Sequence, residues 1–395
     1  MREKSGKTQV IAVALVTALC MLGDSMLYVV LPIYWREAGL HSLWEVGILL
    51  SVNRLVRVPL GPPVGKWYEQ TGGRKGLIIA VALAFVTTLS YGFQGFWLWL
   101  GMRCLWGVSW TFLRLGAYAL IVGVSEETNR GHLMGLYNGL YRLGSLGGML
   151  AGAMLAAWSG LRTASFLLAA FSLLAFLLVF VYIRPSFPKR IIDRVLGDDP
   201  RALWKRRSVL FTMGTGLLIA MVYQGMFTAT LSRLIEIGQP LAVMGEMAFG
   251  AAVVASLVQG VRWGWEPWAA PWFGKISDRY ERRTMFVLFL FAASALFGLL
   301  HAPLSFAIWL CLLLGIQMTA TILTTVTDTL AADEASKLTN GTVLMTLYSV
   351  ATDLGAALGP LFAFWIDGCF GLDVLYGGMA ATLLVIAIGW SMRRL

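Results

Sequence analysis

The sequence has few charged residues. Only 13% of its 395 residues are charged, whereas 58% are hydrophobic, and a typical soluble domain carries about 25% charged residues. This shortage of charge excludes an ordinary soluble domain, because so apolar a chain cannot cover its whole surface with polar groups. The composition indicates an integral membrane protein.

Histidine and cysteine are also scarce. The chain has three histidines and four cysteines, and neither set shows the spacing of a metal site or of a disulfide framework. No arrangement of a nucleophile beside a base is evident either. The sequence therefore predicts neither an enzyme nor a bound cofactor, and a proton gradient is the expected energy source. We expect the four cysteines, which fall in or beside apolar runs, to be reduced and buried.

The chain is rich in apolar runs long enough to cross a hydrocarbon core of about 30 Å. Six of them have few interruptions: 9–34, 76–93, 164–183, 208–231, 285–302 and 372–392. Six weaker ones contain Arg, Pro or Gly: 44–66, 97–124, 132–157, 241–275, 304–330 and 340–366. We predict an all-α membrane protein with twelve transmembrane helices in two pseudo-symmetric six-helix bundles, residues 1–183 and 208–395, joined by a cytoplasmic linker at 184–207.

The positions of the basic residues predict the orientation. Lysine and arginine near the ends of spans are retained on the cytoplasmic side, and the loops expected on the other side contain only Arg36, Arg162 and Arg233. Both termini are therefore expected to be cytoplasmic, in a bacterial-type inner membrane. This bias and the basic linker account for the net charge of +10, so the charge does not indicate a nucleic-acid partner.

The two halves repeat one pattern. Asn53–Lys75 places arginines inside an apolar helix that ends in a charged turn, and Arg262–Arg283 does the same. Gly65 and Gly274 occupy corresponding positions 209 residues apart, each followed by a lysine. The sequence therefore predicts two copies of one structural unit.

The amino-terminal half places five arginines inside predicted spans against one clear acid, Asp24. The arginines are Arg54, Arg57, Arg103, Arg114 and Arg142. A charge within the membrane is costly unless it is paired, protonated or facing water. Asp24 is therefore either a proton or cation site or the partner of an arginine in a neighbouring span. The arginines either bind an anionic substrate, which a guanidinium contacts in a two-pronged geometry, or are partly neutralised by Asp24, backbone carbonyls and water.

The fifth span adds two features. Tyr137 and Asn138 precede Arg142 at mid-depth, where they could contact a substrate. Four glycines then form a stripe of small residues that predicts a tight helix crossing: Gly144, Gly147, Gly148 and Gly152.

The carboxy-terminal half carries a more balanced set of polar residues. Arg262 and Glu266 lie one turn apart, a spacing compatible with a salt bridge, and Trp263 beside them is either a ligand contact or a packing residue. Tyr223 and Gln224 are polar residues of the seventh span. Two polar stripes, which begin at Gln317 and Thr342 and end at Asp328 and Asp353, either line a cavity or tie helices together.

Twelve spans in two sixes, a basic central loop, and a loop motif after spans 2 and 8 resemble the major facilitator superfamily. The motif reads GKISDRYERR from Gly274, with Glu281 in place of its second glycine, and GKWYEQTGGRK from Gly65, with Glu69 in place of aspartate. Arg103 with Gly107 is similar to the Arg-xxx-Gly pattern of proton-coupled members. The glycine-proline signature that antiporters of the superfamily carry in span 5 is missing. The resemblance implies a monomeric transporter whose halves rock around a central site in alternating access.

These observations define three sets of candidate residues. The substrate-binding set is Arg54, Arg57, Arg114, Tyr137, Asn138, Arg142, Tyr223, Gln224, Arg262, Trp263 and Gln317. The proton-coupling set is Asp24, Arg103, Glu266 and Asp353. The gating set, implied by the resemblance, is Gly65, Lys66, Glu69, Arg74, Gly274, Asp278 and Arg279.

Three hypotheses for the function remain open. The arginine excess favours a proton-coupled secondary transporter, more an exporter than an importer, for a small organic anion or zwitterion. The 16 tryptophans favour instead a multidrug/proton antiporter for amphiphilic cations. A membrane receptor or scaffold on the same fold would bind a ligand without transporting it.

Overall fold

The computed structural model describes residues 2–71, 73–124, 130–183, 207–238, 242–244, 247–279, 281–302, 304–336 and 341–392. The chain divides into two compact units, Met1–Arg194 and Val195–Leu395. The predicted linker at 184–207 lies, except for Arg207, outside the described residues.

Unit 1 is built from five long helices. They are α1 (Arg2–Tyr34), α2 (Leu43–Thr71), α3 (Gly73–Ser90), α4 (Phe96–Val124) and α5 (Arg130–Tyr182). Aliphatic and aromatic residues from α1, α3, α4 and α5 form one continuous core, in which Trp106, Leu113 and Val179 are fully buried.

Unit 2 begins with a helix that changes type along its length. Helix α6 (Arg207–Ala220) continues as a π-helix (Met221–Phe227) and then as α7 (Thr228–Gly238). A short hairpin of β1 (Ala242–Met244) and β2 (Met247–Phe249) follows. The remaining elements are α8 (Ala251–Arg279), α9 (Arg282–Gly298), a 3-10 turn (Leu299–His301), α10 (Phe306–Ser336) and α11 (Gly341–Met392).

Two glycines break the longest helices. Gly160 in α5 has φ 79° and ψ 165°, and Gly371 in α11 has φ 84° and ψ 171°. Essentially only glycine adopts this combination of positive φ and extended ψ. Since each break divides its helix into two and α6, the π-helix and α7 are continuous, the described residues contain twelve helical segments, the number of transmembrane helices that the sequence predicts. Seven described stretches are long and apolar enough to span a bilayer, and two of these, Leu136–Tyr182 and Leu347–Met392, contain such a break.

The glycine stripe of α5 lies against α1, as its sequence pattern predicts. Gly144 faces Ala18, Gly148 faces Leu22 and Gly152 faces Met26, in steps of four residues on both helices. A Cβ atom on Gly148 would lie 2.8 Å from the Leu22 Cα, so the two backbones touch there. In unit 2, Gly355 and Gly359 of α11 contact Leu217 and Gly225 in the same way.

Two expectations from the sequence are wrong. The predicted span at 241–275 begins later, because residues 242–244 pair with 247–249 as two strands and the helix starts at Ala251. Hydropathy alone could not separate an apolar hairpin from the start of an apolar helix. The cysteines are free but not uniformly buried: Cys20 is buried, whereas Cys311 and Cys369 are exposed. A cysteine on the outer face of a transmembrane helix meets lipid, so an apolar run does not imply burial inside the protein.

The glycine contact between α1 and α5 can be tested with two neighbouring substitutions. We expect Gly148→Ala to destabilise the protein by about 1–3 kcal/mol, because the added methyl group overlaps the α1 backbone. Gly147→Ala is the matched control, since its Cβ would meet only the Leu22 Cδ2 atom at 3.9 Å and alanine favours the helix. Thermal unfolding in detergent measures both, and equal unfolding temperatures would contradict the predicted contact.

Candidate functional site

A buried ion pair joins three helices of unit 1. The carboxylate of Asp24 on α1 pairs with the guanidinium of Arg103 on α4, and both side chains are almost completely buried. Arg103 Nε donates to the carbonyl oxygen of Leu49 on α2 at 2.8 Å, and Asn53 Nδ2 donates to Asp24 Oδ1 at 3.4 Å. The partner of Asp24 among the predicted arginines is therefore Arg103.

Gly107 allows this arrangement. It lies one turn after Arg103 on α4, and a Cβ there would collide with the backbone oxygen of Asn53 on α2. Since α2 and α4 touch at this point, the Leu49 carbonyl comes within reach of the Arg103 side chain. The Arg-xxx-Gly spacing noted in the sequence thus has a local structural cause.

Three other arginines from the predicted spans of unit 1 lie over aromatic rings. The distances from guanidinium carbon to ring centroid are 5.6 Å for Arg54 over Tyr28, 5.2 Å for Arg57 over Trp110 and 5.6 Å for Arg114 over Tyr118. The negative face of an aromatic ring attracts a cation, more strongly where water is excluded. Aromatic faces thus contribute to neutralising the arginine excess, a source of stabilisation that the sequence analysis did not consider.

Four aromatic residues connect two of these arginines. Ring centroids are 5.6 Å apart between Trp110 and Tyr141, 5.1 Å between Tyr141 and Tyr137, and 6.0 Å between Tyr137 and Tyr118. We call Trp110, Tyr141, Tyr137 and Tyr118 the aromatic ladder. Arg57 lies over its Trp110 end and Arg114 over its Tyr118 end.

The structure brings together only part of the predicted substrate set in unit 1. Arg57, Arg114 and Tyr137 meet through the ladder. Asn138 is half-buried and Arg142 is exposed on the same helix as Tyr137. Trp110 and Tyr118 were missing from the predicted set, although their spacing of eight residues on α4 places them on one helix face.

In unit 2, a chain of amide groups surrounds Arg262. Arg262 Nη1 donates to Gln317 Oε1 at 3.3 Å, and Gln317 Nε2 donates to Gln259 Oε1 at 3.0 Å. Next to this chain on α10, the hydroxyls of Thr319 and Tyr223 are 2.8 Å apart. The structure thus places the predicted residues Arg262, Gln317 and Tyr223 in one polar layer.

The other predicted residues of unit 2 are less buried than this chain of polar side chains. Trp263 and Glu266 are half-buried on α8, whereas Gln224 and Asp353 are exposed. Asp328, at the end of the first polar stripe, accepts a hydrogen bond from the Tyr348 hydroxyl at 2.7 Å. The first polar stripe therefore includes a residue that ties α10 to α11.

Sequence reasoning missed a second intramembrane ion pair. Arg233 Nε on α7 lies 2.6 Å from Asp367 Oδ2 on α11, and the Asp367 side chain is buried. Glu236, one turn after Arg233, lies 3.8 Å from the same guanidinium. Both residues fall in predicted loops, Asp367 between the spans 340–366 and 372–392 and Arg233 between 208–231 and 241–275, so no sequence pattern pairs them.

Arginines near the ends of the two loop motifs donate hydrogen bonds to the carboxyl ends of other helices. Arg74 Nη2 donates to the Phe180 carbonyl near the end of α5 at 2.9 Å. Arg283, 209 residues later, donates to the carbonyls of Trp390 and Ser391 near the end of α11 at 2.9 and 2.8 Å. A cation at the carboxyl end of a helix also interacts favourably with the helix dipole. The other predicted gating residues have side chains outside the described part of the structure: Gly65, Lys66, Glu69, Gly274, Asp278 and Arg279.

The comparisons with known proteins agree with this architecture. A family model described as Major Facilitator Superfamily matches residues 13–266. The chain belongs to this superfamily. A superfamily member of this kind is a multi-pass membrane transporter of small molecules and is not an enzyme.

Relatives of this chain include proteins named for multidrug resistance. It is 28% identical to the multidrug resistance protein MdtG of Salmonella choleraesuis strain SC-B67, over 92% of this chain and 90% of the relative. It is 27% identical to MdtG of Salmonella typhi over the same shares.

A solved structure shares the fold. The crystal structure of a bacterial homolog of the human lysosomal transporter Spinster, inward-facing and unoccupied, matches with a TM-score of 0.75. The match covers 97% of this chain and 95% of that one. At 15% identity, this likeness shows the fold alone.

The coupling between Asp24 and Arg103 can be measured with a double-mutant cycle. We expect Arg103→Gln to cost about 3–5 kcal/mol, because it leaves the Asp24 carboxylate buried without its ion-pair partner. In the Asp24→Asn background the same substitution should cost much less, since no buried charge remains. Thermal unfolding of the four proteins in detergent gives the interaction energy. Strictly additive effects would contradict the ion pair.

Proposed function

We propose that this protein is a proton-coupled secondary transporter that exports small aromatic organic anions or zwitterions by alternating access. The observation that carries this proposal is the aromatic ladder of unit 1, with a guanidinium over each end. The ladder offers aromatic faces and two arginines at the same site, and this combination suits a ligand that has both an aromatic ring and an anionic group. Export is supported by the likeness to MdtG, a multidrug resistance protein, because removing a compound from the cell confers resistance to it.

The chemistry of arginine supports the anionic part of the proposal. A guanidinium lies over a ring with its planar face, whereas a carboxylate or phosphate binds the N–H groups along its edge. The two interactions can therefore occur together at Arg57 or Arg114. A ligand ring could in turn contact the half-buried rings of Tyr118 and Tyr141.

The Asp24–Arg103 pair supports proton coupling. We infer that Asp24 binds the transported proton in one state and releases it in the other, because it is the acid of this pair. Each event would change the attraction that holds α1 and α4 together at this point. Glu266 and Asp353 are the alternative coupling acids in unit 2.

A multidrug/proton antiporter for amphiphilic cations is the second candidate. The observation that favours it is the name of the relatives, which match over 92% of this chain. The arginines of unit 1 oppose it, because they repel a cation from the aromatic rings over which they lie.

The ligand class can be tested by the tryptophan fluorescence of the purified protein. The probes are salicylate as an aromatic anion, phenylalanine as an aromatic zwitterion and tetraphenylphosphonium as an amphiphilic cation. We expect Arg57→Gln to weaken salicylate binding at least tenfold, because a hydrogen bond to a charged group contributes about 1.5–3 kcal/mol. Arg36→Gln is the matched control, since Arg36 is an exposed arginine over the ring of Trp35. Trp110→Phe should keep binding but reduce the fluorescence change.

The outcomes separate the two candidates. Loss of salicylate and phenylalanine binding in Arg57→Gln but not in Arg36→Gln supports the anion or zwitterion transporter. Binding of tetraphenylphosphonium alone, equal in both variants, supports the cation antiporter and overturns the proposed role of the ladder arginines.

Proton coupling can be tested in proteoliposomes under an imposed pH gradient. We expect Asp24→Asn to abolish gradient-driven accumulation of the ligand while exchange down its own gradient continues, because the variant lacks the carboxylate that pairs with Arg103. Glu266→Gln provides the comparison in unit 2. Undiminished gradient-driven transport in both variants would remove these two acids from the coupling step without changing the ligand class.

A further inference from the structure

A cavity of about 440 Å³ opens at one end of unit 1. It lies where the loop after α1, the loop between α3 and α4, and the break in α5 meet. Its lining includes Glu37, Tyr91, Phe93, Gln94, Leu161 and Arg162. The orientation predicted from the basic residues puts this end of the unit on the non-cytoplasmic side.

The cavity contains one acid and one base that do not pair with each other. Among the described residues Glu37 forms no ion pair, and its carboxylate lies over Gly160, 3.9 Å from the position of a Cβ there. Arg162 lies over the ring of Phe166 at 5.6 Å instead. Two opposite charges are thus held apart at the edge of one cavity.

Backbone contacts fix the loop that carries the acid. Gln94 Nε2 donates to the Glu37 carbonyl at 3.0 Å, and the Gly95 amide donates to the Ala38 carbonyl at 3.1 Å. Gly39, with φ +75°, turns the chain directly after these residues. The position of Glu37 is therefore set by the neighbouring loop before any ligand binds, which lowers the entropic cost of binding.

The surroundings are those of a membrane interface. Phe93, in the cavity wall, is 48% exposed, and Trp97 and Trp158 nearby in the sequence are each 79% exposed. Tryptophan at this depth is typical of the layer in which lipid headgroups lie. Exposed rings beside a charged cavity suit a ligand that has a polar head and apolar chains.

We propose that this cavity binds the zwitterionic headgroup of a phospholipid with a primary amine. The phosphodiester would contact Arg162, which provides N–H donors in a planar fork, and the ammonium group would donate to Glu37. An anionic headgroup without an amine would be repelled by Glu37. This site is separate from the ladder and does not depend on the proposed substrate.

Native mass spectrometry of the delipidated full-length protein tests the proposal. The probes are phosphatidylethanolamine, phosphatidylcholine and phosphatidylglycerol with identical acyl chains. We expect phosphatidylethanolamine to bind best, and Glu37→Gln to reduce its advantage over phosphatidylglycerol roughly tenfold, equivalent to about 1.4 kcal/mol. Arg162→Gln should weaken both lipids. Because both side chains are exposed, these variants should fold, which unfolding temperatures will show.

Arg36→Gln is the matched control for Arg162→Gln, since it also removes one positive charge. Arg36 lies next to Glu37 in the chain but is not part of the cavity lining. Equal binding of the three lipids, or an equal effect of Arg36→Gln and Arg162→Gln, would overturn the proposal. Soluble glycerophosphoethanolamine, which has the headgroup without acyl chains, shows whether the cavity binds a membrane lipid or a free solute. If it displaces the lipid at equal concentration, the site serves a free solute and the lipid assignment is wrong; if it does not, the acyl chains contribute and the assignment holds.

Discussion

Unit 1 depends on the ion pair between Asp24 and Arg103. Removing two charges from water costs several kcal/mol for each ion, and only close pairing with further hydrogen bonds compensates for that cost. The Leu49 carbonyl and the Asn53 amide provide those bonds. Their positions require α1, α2 and α4 to approach closely, which the small residue Gly107 permits. A single electrostatic requirement therefore determines how three helices meet.

The remaining arginines are accommodated differently, and this difference bears on function. A contact with an aromatic face contributes about 0.5–2 kcal/mol, much less than the desolvation of a buried cation. A half-buried arginine stabilised in this way gains more from an anion than one already held in a full ion pair. Arg57 and Arg114 are half-buried, whereas the guanidinium of Arg103 is completely buried against Asp24, so an anionic ligand can reach the first two more readily.

The sequence predicted the scaffold well and the side-chain partners poorly. The 209-residue repeat, the twelve helical segments and the glycine contact between α1 and α5 follow from local patterns, because helix length and small-residue spacing are properties of neighbouring residues. The partner of Asp24 could not be chosen in this way, since Arg54, Arg57 and Arg103 all lie at a similar depth. The Arg233–Asp367 pair joins residues 134 positions apart, and the aromatic ladder joins two helices, so both depend on tertiary packing.

The two units use the same scaffold for different chemistry. Gly160 and Gly371 break corresponding helices, and Arg74 and Arg283 hold corresponding helix ends. Backbone geometry demands a particular residue at these positions, so they match in both units.

Away from these positions the units differ. Unit 1 has a buried ion pair with a titratable acid, whereas the buried layer around Arg262 is built from the amides of Gln259 and Gln317. A side-chain amide neither gains nor loses a proton over the physiological pH range. Unit 2 nevertheless has its own buried acid, because the Asp367 carboxylate pairs with Arg233. Among the described residues, both units thus hold a buried carboxylate in an ion pair with an arginine, while the amide layer of unit 2 contributes orientation and hydrogen bonds.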